Sequence, residues 1–234
     1  YKILQNGFFE PEKENLGINF IHLESPYTDF NIQPLMPHKF STGGPPMAVT
    51  DLNGDQRDDF FIGGAYNQSG LIYLQQPDGA FRSQLLDEGK KMPEDMGAVF
   101  LDAEGDGDQD LYVVSGGNEF PEGSVHYQDR LYLNNGRGGF TLSKDLLPAI
   151  PASGSVAVAT DFDRDGDIDL FVGGRIRPQH YPEGGTSQLL ENRNGRFIQV
   201  AAEKAPGLEA IGMVNGAVWV DLNKDGWMDL VVVG

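Results

Sequence analysis

The chain has 234 residues, including 31 glycines and 14 prolines, no cysteine and a formal charge of −18. That length is ample to bury a core. The missing thiols exclude disulfides and thiolate metal sites, and the acidity excludes nucleic acid, which needs a basic footprint. No run of about 18 apolar residues offers a membrane-spanning helix.

In chain order, YKILQNGFF (1–9) reads as strand, turn, strand. Residues 10–43 are long, proline-containing and aperiodic, and read as a connection packed across the rest. A repeat then begins, which has to be settled before any other reading of the fold. Four segments align: VTDLNGDQRDDFFIGG (49–64), FLDAEGDGDQDLYVVSGG (100–117), ATDFDRDGDIDLFVGG (159–174) and WVDLNKDGWMDLVVVG (219–234). Their first aspartates stand 51, 59 and 60 residues apart. A small-apolar run enters each acidic loop and a β-branched, aromatic run leaves it, the pattern of strand, tight loop, strand.

A second hairpin follows in LIYLQQPDGAF (71–81), RLYLNNGRGGF (130–140) and QLLENRNGRF (188–197), each read as strand, Asn/Asp/Gly turn, strand. Four short antiparallel strands per repeat make one blade of a β-propeller. The predicted fold is therefore all-β, a partial propeller of about four blades. Blades are expected over 44–90, 95–145 and 153–202, the first half of another over 212–234, and the end of a preceding blade over 1–12. Starting and stopping in mid-blade suggests a segment of a larger protein. The alternative is a four-bladed ring closed by pairing the last two strands with the first two.

Numbered from its first aspartate, each acidic loop presents oxygen at alternate positions. Position 1 is Asp51, Asp102, Asp161 and Asp221; position 3 is Asn53, Glu104, Asp163 and Asn223. Position 5 is Asp55, Asp106, Asp165 and Asp225; position 9 is Asp59, Asp110, Asp169 and Asp229. Position 7 (Arg57, Asp108, Asp167, Trp227) shares no side-chain chemistry, as expected where only the backbone carbonyl is used. Such hard-oxygen sets suit Ca²⁺, with Mg²⁺ second because it demands a smaller, stricter octahedron. Position 6 is Gly107, Gly166 and Gly226, which tolerate positive φ, whereas Gln56 is expected to strain the first loop and make it the weakest site. Position 12 (Ile62, Val113, Val172, Val232) is apolar, so these are not EF-hands.

The pattern D-x-[DN]-x-D-G-x-x-D-L resembles the FG-GAP/VCBS repeat of integrin α-subunit propellers and bacterial surface proteins. EDMGAVFLDAEGDGDQDLYVVSGGNEF, YQDRLYLNNG and GMVNGAVWVDLNKDGWMDL resemble the bacterial cartilage-acidic-protein-like (ASPIC/UnbV-associated) family more closely still. The resemblance implies an extracytoplasmic calcium-binding propeller of about seven blades. It brings no established catalytic residues, and a location that is extracellular, at the cell surface or periplasmic.

Loops joining second and third strands are expected on the face opposite the acidic loops: 65–70, 118–129 and 175–187. The last two carry Phe120, His126, Tyr127, Arg175, Arg177, His180 and Tyr181, residue types suited to a protein or carbohydrate ligand. A plainer reading has them packing on a neighbouring blade or on 10–43. Three functions compete: a calcium-stabilised binding module, a structural scaffold contacting the rest of a larger polypeptide, and part of a secreted polysaccharide lyase using His126 and His180. The last is disfavoured by the lack of any catalytic motif and by the scatter of the four histidines, at 22, 38, 126 and 180.

Overall fold

Strand-forming runs interrupted by acidic turns can bury both faces only by stacking sheet on sheet. In the computed structural model, which describes residues 15–87 and 92–234, they do so. Strands β1 (Met47–Thr50), β2 (Asp59–Ile62), β3 (Leu71–Gln75) and β4 (Phe81–Leu85) form one antiparallel sheet in chain order. Strands β5 (Glu94–Leu101), β6 (Asp110–Gly116), β7 (Arg130–Leu133) and β8 (Thr141–Leu142) form the second. The third holds β9 (Gly154–Thr160), β10 (Asp169–Gly174), β11 (Gln188–Arg193) and β12 (Arg196–Gln199). A two-stranded sheet pairs β13 (Gly216–Val220) with β14 (Asp229–Val233). This is an all-β partial β-propeller. The blade end expected over 1–12 lies outside the described residues.

Register repeats as well as sequence does. Thr50 faces Asp59, Leu101 faces Asp110, Thr160 faces Asp169 and Val220 faces Asp229. The last loop aspartate thus always opens the second strand, opposite the residue that precedes the first.

The second strands β6 and β10 are buried throughout, because sheets cover both of their faces. Phe61 and Ile72 of the first sheet pack with Leu111, Val113 and Tyr132 of the second. Tyr112, Val114 and Leu131 then pack with Leu170, Val172 and Leu190 of the third. Phe171 and Leu189 carry the core on toward Trp219 and Leu230. Fully burying each such side chain contributes about 1.5–3 kcal/mol. First strands sit side by side, β1 against β5, β5 against β9 and β9 against β13. At Gly97 a Cβ would stand 2.8 Å from the Ser155 carbonyl oxygen, so that approach needs glycine.

Residues 15–43 contain one 3₁₀ turn, Asp29–Asn31, and run from the acidic-loop end of the first sheet, where β4 begins, to the opposite end, held by specific bonds. Buried Asp29 accepts from Ser41 Oγ (2.5 Å) and Asn118 Nδ2 (2.6 Å). Phe81 N donates to Leu16 O, Gln68 Nε2 donates to Ile21 O, and Met36 and Phe40 pack on Ile176. One element escaped the all-β expectation: a four-residue helix, α1 (Ala201–Lys204), follows β12.

Candidate metal centres

The crowding of carboxylates is first relieved by the backbone itself. Asp51 Oδ1 accepts from the N–H groups of Asn53, Gly54 and Asp55 at 2.8–3.2 Å, and its Oδ2 accepts from Gln56 N at 2.7 Å. Asp102 takes Gly105, Asp106 and Gly107; Asp161 takes Arg164 and Gly166; Asp221 takes Asp225 and Gly226. Each loop therefore curls around its position-1 carboxylate. Burial raises the pKa of Asp51, but the four N–H donors outweigh it and the net shift is downward.

Curling needs positive φ at two places per loop. Position 6 has it in Gln56 (65°), Gly107 (92°), Gly166 (101°) and Gly226 (86°). Position 4 has it too, in Gly54 (75°), Gly105 (74°), Arg164 (63°) and Lys224 (62°). The second requirement hides in the sequence because Arg164 and Lys224 occupy it. It corrects the expectation that Gln56 singles out the first loop: the third and fourth each carry one strained non-glycine as well.

Position 9 ties loop to sheet. Asp59 Oδ2 accepts from Leu52 N (3.0 Å) and its Oδ1 from Gln75 N (2.7 Å). Asp110 binds Ala103 N and Asn134 N, and Asp169 binds Phe162 N and Asn192 N, all at 2.8–3.0 Å. Asp229 repeats the first half of the pattern with Leu222 N at 2.9 Å. Asp59, Asp110 and Asp169 are fully buried, and burial raises all three, Asp110 and Asp169 to about 6, against the pull of their N–H donors.

The partners of position 9 reveal a clamp between sheets. Asn134 Nδ2 donates to Leu52 O, in the preceding sheet's loop, at 2.9 Å, and Asn192 Nδ2 donates to Ala103 O at 2.9 Å. Both asparagines read as turn residues in the sequence, yet both are buried. Their signal was positional: each closes the third strand at the same offset.

Positions 3, 5 and 7 finish the site. Position-5 Oδ1 accepts from the position-7 N–H in all four loops, at 2.7–3.1 Å. The position-7 side chains make contacts of their own, different in each loop. Asp167 accepts from Asn194 N (2.8 Å), Arg57 pairs with Asp55, and Trp227 lies 3.9 Å under the Arg164 guanidinium of the neighbouring loop.

In the third loop, oxygens of Asp161, Asp163 and Asp169 lie within 4.8 Å of one another. Asp163 Oδ2 pairs with Lys204 Nζ at 2.7 Å, while its Oδ1 is buried without a hydrogen-bond partner. Asp108 Oδ1 in the second loop is likewise orphaned. Mutual repulsion adds to the strain there, since burial and then Asp106, Asp108 and Asp102 raise Glu104. An all-oxygen set with orphaned carboxylate oxygens suits a hard divalent cation.

Three stretches, 51–113, 102–172 and 161–232, match the family model of the FG-GAP-like repeat. The chain belongs to this family. Each match runs from one acidic loop to the second strand beyond the next, so the loops bound the FG-GAP-like unit. No curated protein matches the chain.

On the opposite face of the FG-GAP-like repeats, the seven aromatic, histidine and arginine side chains divide. Phe120 packs tilted against His126 (4.3 Å between centroids), and buried Tyr127 is spent on Phe120, its hydroxyl donating to Phe120 O and accepting from Phe120 N. Arg175 lies 5.1 Å over Phe40, and Tyr181 packs 5.7 Å from the same ring. Arg177 is paired with Glu122 (2.9 Å) and Glu183 (2.6 Å), while His180 Nδ1 meets Pro178 O at 2.8 Å. They do not converge on one pocket.

Proposed function

We propose that this chain is a non-catalytic calcium-binding module of an exported or cell-surface protein, with Ca²⁺ bracing the FG-GAP-like units. Position 1, 3, 5 and 9 side chains and the position-7 carbonyl would hold the ion. When bound, Ca²⁺ supplies charge neutralisation, and the buried oxygen of Asp163 without a partner carries the reading. The N–H nests around position 1 hold each loop near its final shape, so binding needs little ordering. Extracellular modules of this affinity class bind Ca²⁺ at about 10⁻⁴–10⁻³ M, which matches external rather than cytosolic calcium.

The recognition surface would be the exposed rim of the opposite face, toward a protein or carbohydrate partner at the cell surface. A lyase-type reading has less support, because His126 and His180 meet neither each other nor a shared arginine. Ca²⁺ at about 100 times its Kd stabilises the fold by roughly 2.7 kcal/mol per site. The test is a melt of metal-stripped protein with and without millimolar CaCl₂, alongside calorimetric titration. An identical melt and no heat of binding would dispose of the proposal.

A further inference from the structure

At the opposite end of the second sheet from its acidic loop lies a group made once, where the aperiodic segment meets the sheet. Glu94, the first residue of β5, is 1 % exposed; its Oε1 accepts from Gly43 N at 3.1 Å, and its Oε2 has no hydrogen-bond partner. His22 and Glu24 reach it from the aperiodic segment, with His22 Nε2 3.0 Å from Glu24 Oε1 and His22 Nδ1 buried and unpartnered. One ligand atom from each of His22, Glu24 and Glu94 lies within 4.8 Å of the others. Glu119 Oε1, beside Glu94, is also buried without a partner. Among the described residues no lysine or arginine pairs with Glu94 or Glu119.

One imidazole with two or three carboxylates is a poor match to calcium, which takes oxygen, and a good match to first-row divalent ions. We propose that His22, Glu24 and Glu94 form a second type of metal site, for Zn²⁺ or a similar transition ion, that clasps residues 15–43 onto the second sheet. The ion satisfies the Glu94 oxygen, engages the imidazole and replaces carboxylate repulsion with coordination. It also supplies what Asp29 supplies further along the segment: a polar anchor, placed before the packing of Met36 and Phe40 on Ile176. A competing arrangement is a single proton shared between Glu94 and Glu119, since burial, and after it the neighbouring carboxyl, raises Glu94.

The test is calorimetric titration of Zn²⁺ into the metal-stripped chain held in excess CaCl₂, which keeps the acidic loops from reporting. Wild type is expected to bind one equivalent and to melt higher with Zn²⁺. His22→Ala and Glu94→Gln are each expected to weaken binding by at least the roughly 10–100-fold that loss of even a supporting partner brings. Glu203→Gln, an exposed carboxylate on α1 after the third sheet, keeps wild-type binding. Calcium-dependent melting of each variant shows that it is folded. Zn²⁺ binding that is absent, or equal in wild type, His22→Ala and Glu94→Gln, overturns the site. So does a Glu94→Gln protein that melts higher than wild type both with and without Zn²⁺, the signature of a shared proton.

Discussion

The clamp from each third strand to the preceding loop gives a prediction whose sign and size both come from geometry. Asn192 is 1 % exposed; its Nδ2 donates to Ala103 O at 2.9 Å and to Ile168 O at 3.2 Å, and its Oδ1 accepts from Gly195 N at 2.8 Å. Asn192→Ala removes three hydrogen bonds at about 0.5–1.5 kcal/mol each and strands buried partners, for a loss of about 2–4 kcal/mol. Asn192→Asp keeps the Gly195 bond but turns a carboxylate oxygen toward two carbonyls, so it should cost more than alanine despite being nearly isosteric. Urea unfolding at saturating calcium measures both, read as a lower midpoint at unchanged slope. If Asn192→Asp unfolds at the same midpoint as Asn192→Ala or above it, the clamp does not join these sheets as described.

Gln56→Gly should stabilise the chain by about 1 kcal/mol, because the left-handed φ of 65° suits glycine and the Gln56 side chain is exposed; a melt about 2–4 °C higher is expected. Gly97→Ala should cost about 1–3 kcal/mol in the same assay, since the new methyl meets the backbone oxygen of Ser155 rather than a side chain that can move. Asp129, buried with Tyr112 Oη and Ser115 N donating to it, is pushed by burial from 3.8 up to about 7. The folded state then holds a proton that the unfolded state has lost, so stability is full below pH 3.8 and falls as pH rises toward 7, by about 4 kcal/mol in all. Asp129→Asn mimics the protonated form and should flatten that fall, matching wild type near pH 4 and exceeding it near pH 8.

What could be read from the sequence is what recurs in it. Loop positions 1, 3, 5 and 9 were legible because side-chain identity itself recurs, and strand order follows from that recurrence. Position 4 was not, because its demand is on the backbone, and arginine and lysine meet it at a cost no letter reveals. The clamps at Asn134 and Asn192 looked like turns because a turn does follow them; only the neighbouring sheet shows where the amide points. His22 with Glu94 and Asp29 with Asn118 were beyond reach for a simpler reason. Those pairs are made once each, from a segment without period, across separations of up to 89 residues.

The two ends of the sheets therefore handle negative charge by different means. At the loop end, the first carboxylate of each loop is wrapped in N–H groups and the last is pinned to two strands, so the turn keeps its shape before any ion arrives. Binding there should change stability more than structure. At the other end, Glu94 and Glu119 have few backbone donors and no rigid turn, and their partners come from a segment with little regular structure. If the proposed site holds a cation, removing it should loosen residues 15–43 while leaving the strand registers intact. Hydrogen exchange separates the two: chelation with calcium restored should speed exchange in 15–43 and spare β6 and β10, which are buried on both faces.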